Sequence, residues 1–440
     1  MTSHRGRFTN RFSPSPGGVV GVDTASSAER AEELRNALVD TIIVDHTAKG
    51  LKMPAVVERA MRKVPREVFT PGVPLEKAYA NTAVITSRRG EETTGSVSAP
   101  YLIAEMLGQA VDALGGLEGR DVLEIGSGGY NASLLRELVG SAGSVTTVDI
   151  DPEVTDRTAS CLKRAGYNDV TIVCADAEHP VEPGRHYDLI IVTAAAWDIP
   201  AVWREQLTPD GVLVVPLRTF GMTRSWALQR SGNRLASHSH RQCGFVSMQG
   251  DGAHRMRYVD IAPGVHLRLD EGRHMAPEAL GGMAADLLTQ PREQAWAGVS
   301  LPPRTVLSDL DLWLAARLAA EAGEFVVLTA QAAAVESGIV APSWRFGAPA
   351  ILDGGAFSYR SALRWTGRLF DLGAIAHGPR AAAAAGQMVE HMRAWLEADG
   401  PSPILNVLPA RTPEGDLPGG TVLDKPHSRM VLNFPTVTSR

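Results

Sequence analysis

The residues of this chain best suited to chemistry fall in one run, Arg120-Asp-Val-Leu-Glu124-Ile-Gly126-Ser127-Gly128-Gly129-Tyr130-Asn131. Glycines at 126, 128 and 129 let the backbone approach a ligand, and the helix-like stretch that follows offers free N–H groups at its start. These are the parts of a nucleotide cradle, although a glycine turn alone serves equally well as a packing loop. A dinucleotide fingerprint wants Gly-x-Gly-x-x-Gly, whereas Asn131 holds the third position and Glu124 stands two residues ahead of the first glycine. A carboxylate there disfavours pyrophosphate and suits a ligand with an ammonium and ribose hydroxyls, such as S-adenosyl-L-methionine. The next strand-like run, Ser144-Val-Thr-Thr-Val-Asp149-Ile150-Asp151, ends in acids roughly 20 residues on, where a ribose diol is normally held.

Two further apolar runs end in Asp176-Ala177 and Ala194-Ala195-Ala196. Asp176 is expected to meet an adenine amino group, with a turn cap as the plainer alternative. The expected cofactor set is therefore Glu124, Gly126, Ser127, Gly128, Asp149, Ile150, Asp176, Ala177 and Ala194. Ahead of a proline and a helix, Gly95-Ser96-Val97-Ser98-Ala99-Pro100 places small hydroxyl residues that either cap that helix or face the pocket and donate hydrogen bonds to a carboxylate. On the second reading Ser98 is the catalytic candidate, and Ser96, Val97, Ala195 and Arg224 are the substrate contacts. Arg224 belongs to a run with Arg218, Arg230, Arg234, His238, His240 and Arg241, which forms a solvated face or receives an acidic peptide.

The elements that must position these residues alternate. Strand-like runs at 121–126, 145–149, 170–176, 187–195 and 211–217 are separated by helical spacing at 130–139, 152–165 and 199–207, which predicts a parallel sheet covered on both faces. Ligands on such a sheet sit at the carboxyl ends of the strands, so Asp149, Asp176 and residues 194–196 line one crevice. Ser231-Gly232-Asn233 marks an antiparallel hairpin that closes the sheet. Ahead of it come two helices broken around Gly50 and Pro54, then a polar loop over 83–95. Beyond Pro263 the alternation stops. Helices are expected over 277–288, 310–322 and 379–397, a strand over 325–330, a hairpin over 350–360, and strands over 404–408 and 429–434. The predicted division is a disordered tail at 1–26, an N-terminal helical cap at 27–82, a methyltransferase domain at 83–262 and a C-terminal α+β substrate-binding domain at 263–440.

Composition narrows the partners. A net charge of −6 gives no electrostatic case for nucleic acid, and the apolar runs at 189–197 and 212–217 are too short to span a membrane. The arginine-bearing N-terminus lacks the apolar core of a signal peptide, so a cytoplasmic location is expected. Three cysteines, Cys161, Cys174 and Cys243, show no metal-ligand or disulfide spacing and are expected to be buried small hydrophobes; no metal site is expected.

Across residues 30–250 the chain resembles the protein-L-isoaspartate O-methyltransferases. The resemblance is carried by Val64-Pro65-Arg66-Glu67-x-Phe69, the Tyr79 region, Val97-Ser98-Ala99-Pro100, Val122-Leu-Glu-Ile-Gly126, Asp149 and Asp176. It continues through Ala194-Ala195-Ala196, Gln206-Leu207-x-x-x-Gly211, Val214-Val215-Pro216 and Phe245-Val246. Three departures stand out. The glycine loop is one residue shorter than the family's Gly-x-Gly-x-Gly-Tyr, Gly95-Ser96 replaces the usual Gln-Thr, and a C-terminal domain follows that the repair enzymes lack. All three are similar to the lanthipeptide-associated branch known as the FxLD system. That resemblance implies an α/β class I methyltransferase fold with a Rossmann-like doubly wound sheet, S-adenosyl-L-methionine as cofactor, and a modified ribosomal precursor peptide as partner. The implied reaction esterifies an aspartate side chain, leading through succinimide to isoaspartate. Repair of isoaspartate in damaged proteins is the alternative within the family, and a non-catalytic cofactor-binding scaffold is the alternative outside it.

Overall fold

The structure is a computed structural model, and it describes residues 24–90, 92–126, 128–269, 286–303, 305–321 and 323–435. Ser127, most of the expected tail and most of the helix expected over 277–288 lie outside these residues. Among the described residues two helices come first, α1 (Thr24–Ala48) and α2 (Ala55–Lys63), separated where Gly50 turns with φ 71° and Pro54 takes the N-cap position of α2. A short 3-10 turn, Arg66–Phe69, and α3 (Leu75–Ala78) follow. The polar loop expected over 83–95 is instead an antiparallel hairpin of β1 (Val84–Arg89) and β2 (Glu92–Val97), turning at Gly90. Its strands put almost nothing into the core, so the apolar alternation that marks a strand is missing from its sequence.

The α/β region runs α4 (Pro100–Leu114), β3 (Asp121–Ile125), α5 (Tyr130–Val139), β4 (Ser144–Asp149), α6 (Pro152–Ala165), β5 (Thr171–Cys174), β6 (Tyr187–Val192), α7 (Ala201–Glu205) and β7 (Leu207–Thr219). Strands β3 to β7 pair in parallel in the order β5-β4-β3-β6-β7, the class I methyltransferase arrangement that the sequence predicts. The connection reverses direction beside β3, so a crevice opens at the carboxyl ends of β3 and β6. These strands are apolar on both faces. In β7, Val212 and Val214 pack with the N-terminal helices and α5, while Leu213, Val215 and Leu217 pack with the opposite layer.

Strands β8 (Met222–Ser231) and β9 (Arg234–Gln242) extend the sheet antiparallel. A second sheet, antiparallel throughout, contains β10 (Tyr258–Ala262), β11 (Val265–Arg268), β12 (Arg292–Trp296), β13 (Glu324–Ala330), β14 (Ala348–Asp353), β15 (Ala356–Arg360) and β18 (Gly373–His377). Between them lie α8 (Ser308–Ala319), α9 (Ala332–Glu336) and the minor pair β16 (Arg364–Trp365) and β17 (Phe370–Asp371). Helix α10 (Ala381–Glu397) packs on this sheet beside α8.

The last strands, β19 (Ile404–Pro409), β20 (Thr421–Asp424) and β21 (Ser428–Asn433), leave the second sheet and return to the first. Strand β19 pairs with β9 through Asn406 and Val407, giving a ten-stranded sheet. One continuous apolar core joins β3, β6, β7 and β8 to α8 and α10. The expected boundary at 263 matches neither change: the parallel βα alternation ends with β7, 263 lies in the turn of the β10–β11 hairpin of the second sheet, and the core runs on across both regions. No helix among the described residues is long and apolar enough to cross a membrane.

Candidate functional site

At the carboxyl ends of β3, β4 and β6 the sheet opens into a cleft of about 960 Å³, part of it open to solvent. Its floor is the turn after β3. Gly126 takes φ 93°, and a Cβ there would sit 2.6 Å from Thr193 Oγ1, which itself donates to the Gly126 carbonyl at 2.7 Å. Gly129 is similarly confined, since a Cβ would come within 2.9 Å of the Phe69 ring. Gly128 differs: a Cβ on it would meet nothing within 4 Å, so packing does not demand a glycine there. Its bare backbone faces the cleft, as a ligand cradle requires.

Glu124 is buried at the end of β3. Thr147 Oγ1 donates to its Oε2 at 2.6 Å and Asn131 Nδ2 donates to its Oε1 at 2.9 Å. Burial pushes its carboxyl up to about 7, against the pull of those two bonds. Asn131, which breaks the dinucleotide fingerprint, thus ties α5 to β3. Its Oδ1 is buried with no hydrogen-bond partner among the described residues, and the residue lines the cleft. Asp149 at the tip of β4 accepts the Asp151 N–H at 3.0 Å, and Asp151 caps α6 through the Glu153 N–H at 2.9 Å. Ile150 and Ala177 supply apolar wall. The donor set fits S-adenosyl-L-methionine: carboxylates at 124, 149, 151 and 176 suit a ligand carrying a sulfonium, an ammonium and a ribose diol.

Asp176 lines the cleft, and each of its carboxylate oxygens accepts a backbone N–H. The Glu178 N–H donates to Oδ1 at 2.9 Å and the Asp251 N–H donates to Oδ2 at 2.8 Å. The turn-cap alternative describes these bonds, and the second of them fastens residues 250–251 over the β5 end of the site.

The roof is the β1–β2 hairpin, with Thr86, Ser87, Thr94, Gly95 and Ser96 on the cleft, together with the returning segment 246–249. Gln249 Nε2 donates to the Thr94 carbonyl at 3.1 Å, and Arg157 on α6 donates to Thr86 Oγ1 at 3.4 Å. Ser98 and Val97 also line the cleft. The cap reading of Ser96 and Ser98 fails, because Ala99 takes the N-cap of α4 without a side-chain bond and Asn81 Oδ1 accepts the Tyr101 N–H at 3.0 Å. Arg66, fully buried, holds this corner. Its Nη2 donates to the carbonyls of Val97 at 3.3 Å and Ser98 at 3.0 Å, its Nε donates to Ala78 at 2.8 Å, and its guanidinium lies 4.9 Å from the Tyr130 ring centre. The peptide unit that carries Ser98 is thereby pinned to the helix that follows the glycine turn.

The cleft brings together Ser96, Val97, Ser98, Glu124, Gly126, Gly128, Asp149, Ile150, Asp176, Ala177 and Ala194. Ala195 sits one layer behind, paired through its backbone with 246–248. Arg224 is not at the site. It is 2% exposed within the sheet, donates to the Ser308 carbonyl at the start of α8 and lies 3.9 Å from Asp309, with burial drawing its pKa down. His240 shares that seam, 3.8 Å from Asp309, and burial holds its pKa at about 4. The expected acidic-peptide face is therefore, around Arg224 and His240, an internal joint: β8 lies between β7 and β9, with one side of the strand under α8. Residue types alone missed the hairpin and segment 246–249; the Phe245-Val246 resemblance marks the edge of the latter. Among the described residues no cluster of His, Cys, Asp or Glu could hold a metal ion.

The family profile described as Protein-L-isoaspartate(D-aspartate) O-methyltransferase matches residues 36–252. The protein-L-isoaspartate O-methyltransferase of Methanococcoides burtonii is 42% identical over 164 residues, which are 37% of this chain and 76% of that protein. Protein-L-isoaspartate O-methyltransferase 2 of Archaeoglobus fulgidus is 33% identical over 222 residues, 49% of this chain and 95% of that protein. A solved protein-L-isoaspartate O-methyltransferase superposes over 84% of this chain and 96% of its own, at 19% identity and a TM-score of 0.43.

Proposed function

The chain belongs to the protein-L-isoaspartate O-methyltransferase family, and we propose that within it this chain esterifies an aspartate side chain in a ribosomal, lanthipeptide-type precursor peptide. It is an O-methyltransferase whose cofactor is S-adenosyl-L-methionine. When bound, the cofactor supplies an electrophilic methyl group on sulfur. Gly126 and Gly128, with Glu124 beneath them, would hold its amino-acid end, Asp149 would take the ribose, and Ile150 and Ala177 would flank the base. A carboxylate is already an oxygen nucleophile at neutral pH, so the protein's task is alignment and exclusion of water rather than proton removal. Ser98, fixed through its backbone by Arg66, donates a hydrogen bond that orients the acceptor carboxylate; Ser96 and Val97 line its approach. The resulting ester is attacked by the next backbone nitrogen, expelling methanol and giving a succinimide that hydrolyses to aspartate and isoaspartate.

The observation that carries the coarse reading is the convergence of Ser98, Gly128 and Asp149 on one cleft at the switch point of the sheet. The precursor-peptide reading is supported by the Glu124-Ile-Gly126-Ser127-Gly128-Gly129-Tyr130-Asn131 loop, by Gly95-Ser96, and by the long C-terminal region. The names of the relatives favour a second reading, repair of isoaspartyl residues in proteins. Competition separates the two: full-length enzyme is offered a cyclised precursor, its linear form and a generic isoaspartyl peptide. Methylation of the cyclised precursor is expected to dominate, whereas preference for the isoaspartyl peptide assigns repair.

A further inference from the structure

We infer that the turn between β20 and β21 is a clasp that sets the acceptor side of the cleft, with Lys425 as its positioning residue. This extends the functional reading above and rests on it, taking as part of the acceptor side the bridged pair of Ala195, an expected substrate contact, and Ser247, which lines the cleft. Past β6 the chain lines the cleft with Thr193 and Ala194, then zips to the returning segment: the Ala195 N–H donates to Val246 at 2.7 Å and the Met248 N–H donates to Ala195 at 3.0 Å. The far end of this two-stranded wall is closed by Trp197 stacked on His254, with ring centres 3.9 Å apart and planes 5° from parallel. From more than 200 residues downstream, Lys425 reaches under the wall. It is 6% exposed, donates Nζ to the carbonyls of Trp197 and of Arg218, the latter at 2.7 Å, and lies 4.9 Å from the Trp197 ring centre. Beside it Asp198 accepts the His427 N–H at 2.7 Å and the Ser428 hydroxyl.

A buried ammonium stays where its acceptors are, because leaving them costs far more than a rotamer change. The two carbonyls it holds belong to Trp197 and Arg218, past the end of β6 and at the end of β7, where Ala196 and Arg218 pair through their backbones; neither residue lines the cleft that holds Gly126 and Gly128. Loosening the clasp should thus affect the acceptor and spare the cofactor.

The test uses full-length protein with Lys425→Met, which keeps the aliphatic stem, and with His254→Ala, which opens the same wall from its half-buried side. Hydrogen exchange is followed in residues 194–198 and 246–254, together with KM for a carboxylate-bearing peptide and Kd for S-adenosylhomocysteine. Both variants should exchange faster in those segments and raise the peptide KM by about tenfold, with cofactor Kd within about twofold. Unchanged exchange and KM in both variants would overturn the clasp, as would equal losses of peptide and cofactor binding. If wild type methylates no peptide carboxylate, the functional reading fails, while exchange still decides whether the clasp exists.

Discussion

Glu124 and Ser98 are the two side chains on which the proposed chemistry most depends. The burial that lifts the Glu124 carboxyl from its ordinary 4.5 to about 7 leaves its charge sensitive near neutrality. A raised folded pKa means the unfolded chain ionises first, so this group weakens the fold progressively as pH rises from about 4.5 to about 7, and the cost persists above that. A bound ammonium reverses the preference by favouring the carboxylate. S-adenosylhomocysteine affinity by calorimetry should therefore increase as pH rises through about 7 in wild type and lose that slope in Glu124→Gln; a flat wild-type profile would separate Glu124 from the ligand. Ser98→Ala should lower methyl transfer by about one to two decades, the scale of one positioning hydrogen bond, with cofactor affinity changed less. Wild-type rates in that variant would leave Ser98 as lining only. Both residues were legible, Glu124 from its place before a glycine turn and Ser98 from hydroxyls ahead of a proline. What Asn131 does was not legible, because its bond to Glu124 exists only once β3 and α5 have packed.

Among the elements, the β3–α5 turn tests the cradle most sharply, since its glycines serve different ends. Gly126→Ala forces a side chain to φ 93° and against Thr193, so it should cost both stability and cofactor binding, on the order of 1–3 kcal/mol of strain. Gly128→Ala meets open space and should leave the melting temperature unchanged while weakening S-adenosylhomocysteine measurably. If Gly128→Ala binds the cofactor undiminished, the ligand does not lie on this turn. The parallel strands were legible because burial on both faces demands continuous apolar runs. The β1–β2 hairpin was not: a roof exposed to solvent on one side and to a ligand on the other needs no apolar stripe, and Thr, Ser and Gly there look like a loop. Arg224 misled for the opposite reason. A cation among other cations looks like a surface, and only the position of β8 inside the sheet reveals its burial.

For the whole molecule, the parallel βα alternation was visible, yet neither the start of the second sheet at β10 nor the chain's return through β19 to β9 was, since strand pairing at a separation of about 170 residues leaves no local trace. The shared core makes the C-terminal region part of the enzyme's fold. Removing residues 263–440 would expose the face bearing Leu213, Val215, Trp226 and Leu235 at about 25 cal/mol per Å² of apolar surface. Such a truncated chain should aggregate or melt well below the full-length protein in a thermal scan. A truncated chain that melts normally and binds S-adenosylhomocysteine would mean that the second region is dispensable for folding. The central claim is chemical: methyl passes from sulfur to a carboxylate oxygen. The most direct measurement incubates the full-length protein with methyl-labelled S-adenosyl-L-methionine and peptide, then raises the pH and counts volatile label. Label should appear on the peptide and leave as methanol in mild alkali; no transfer, or label that alkali leaves in place, would contradict carboxyl methylation.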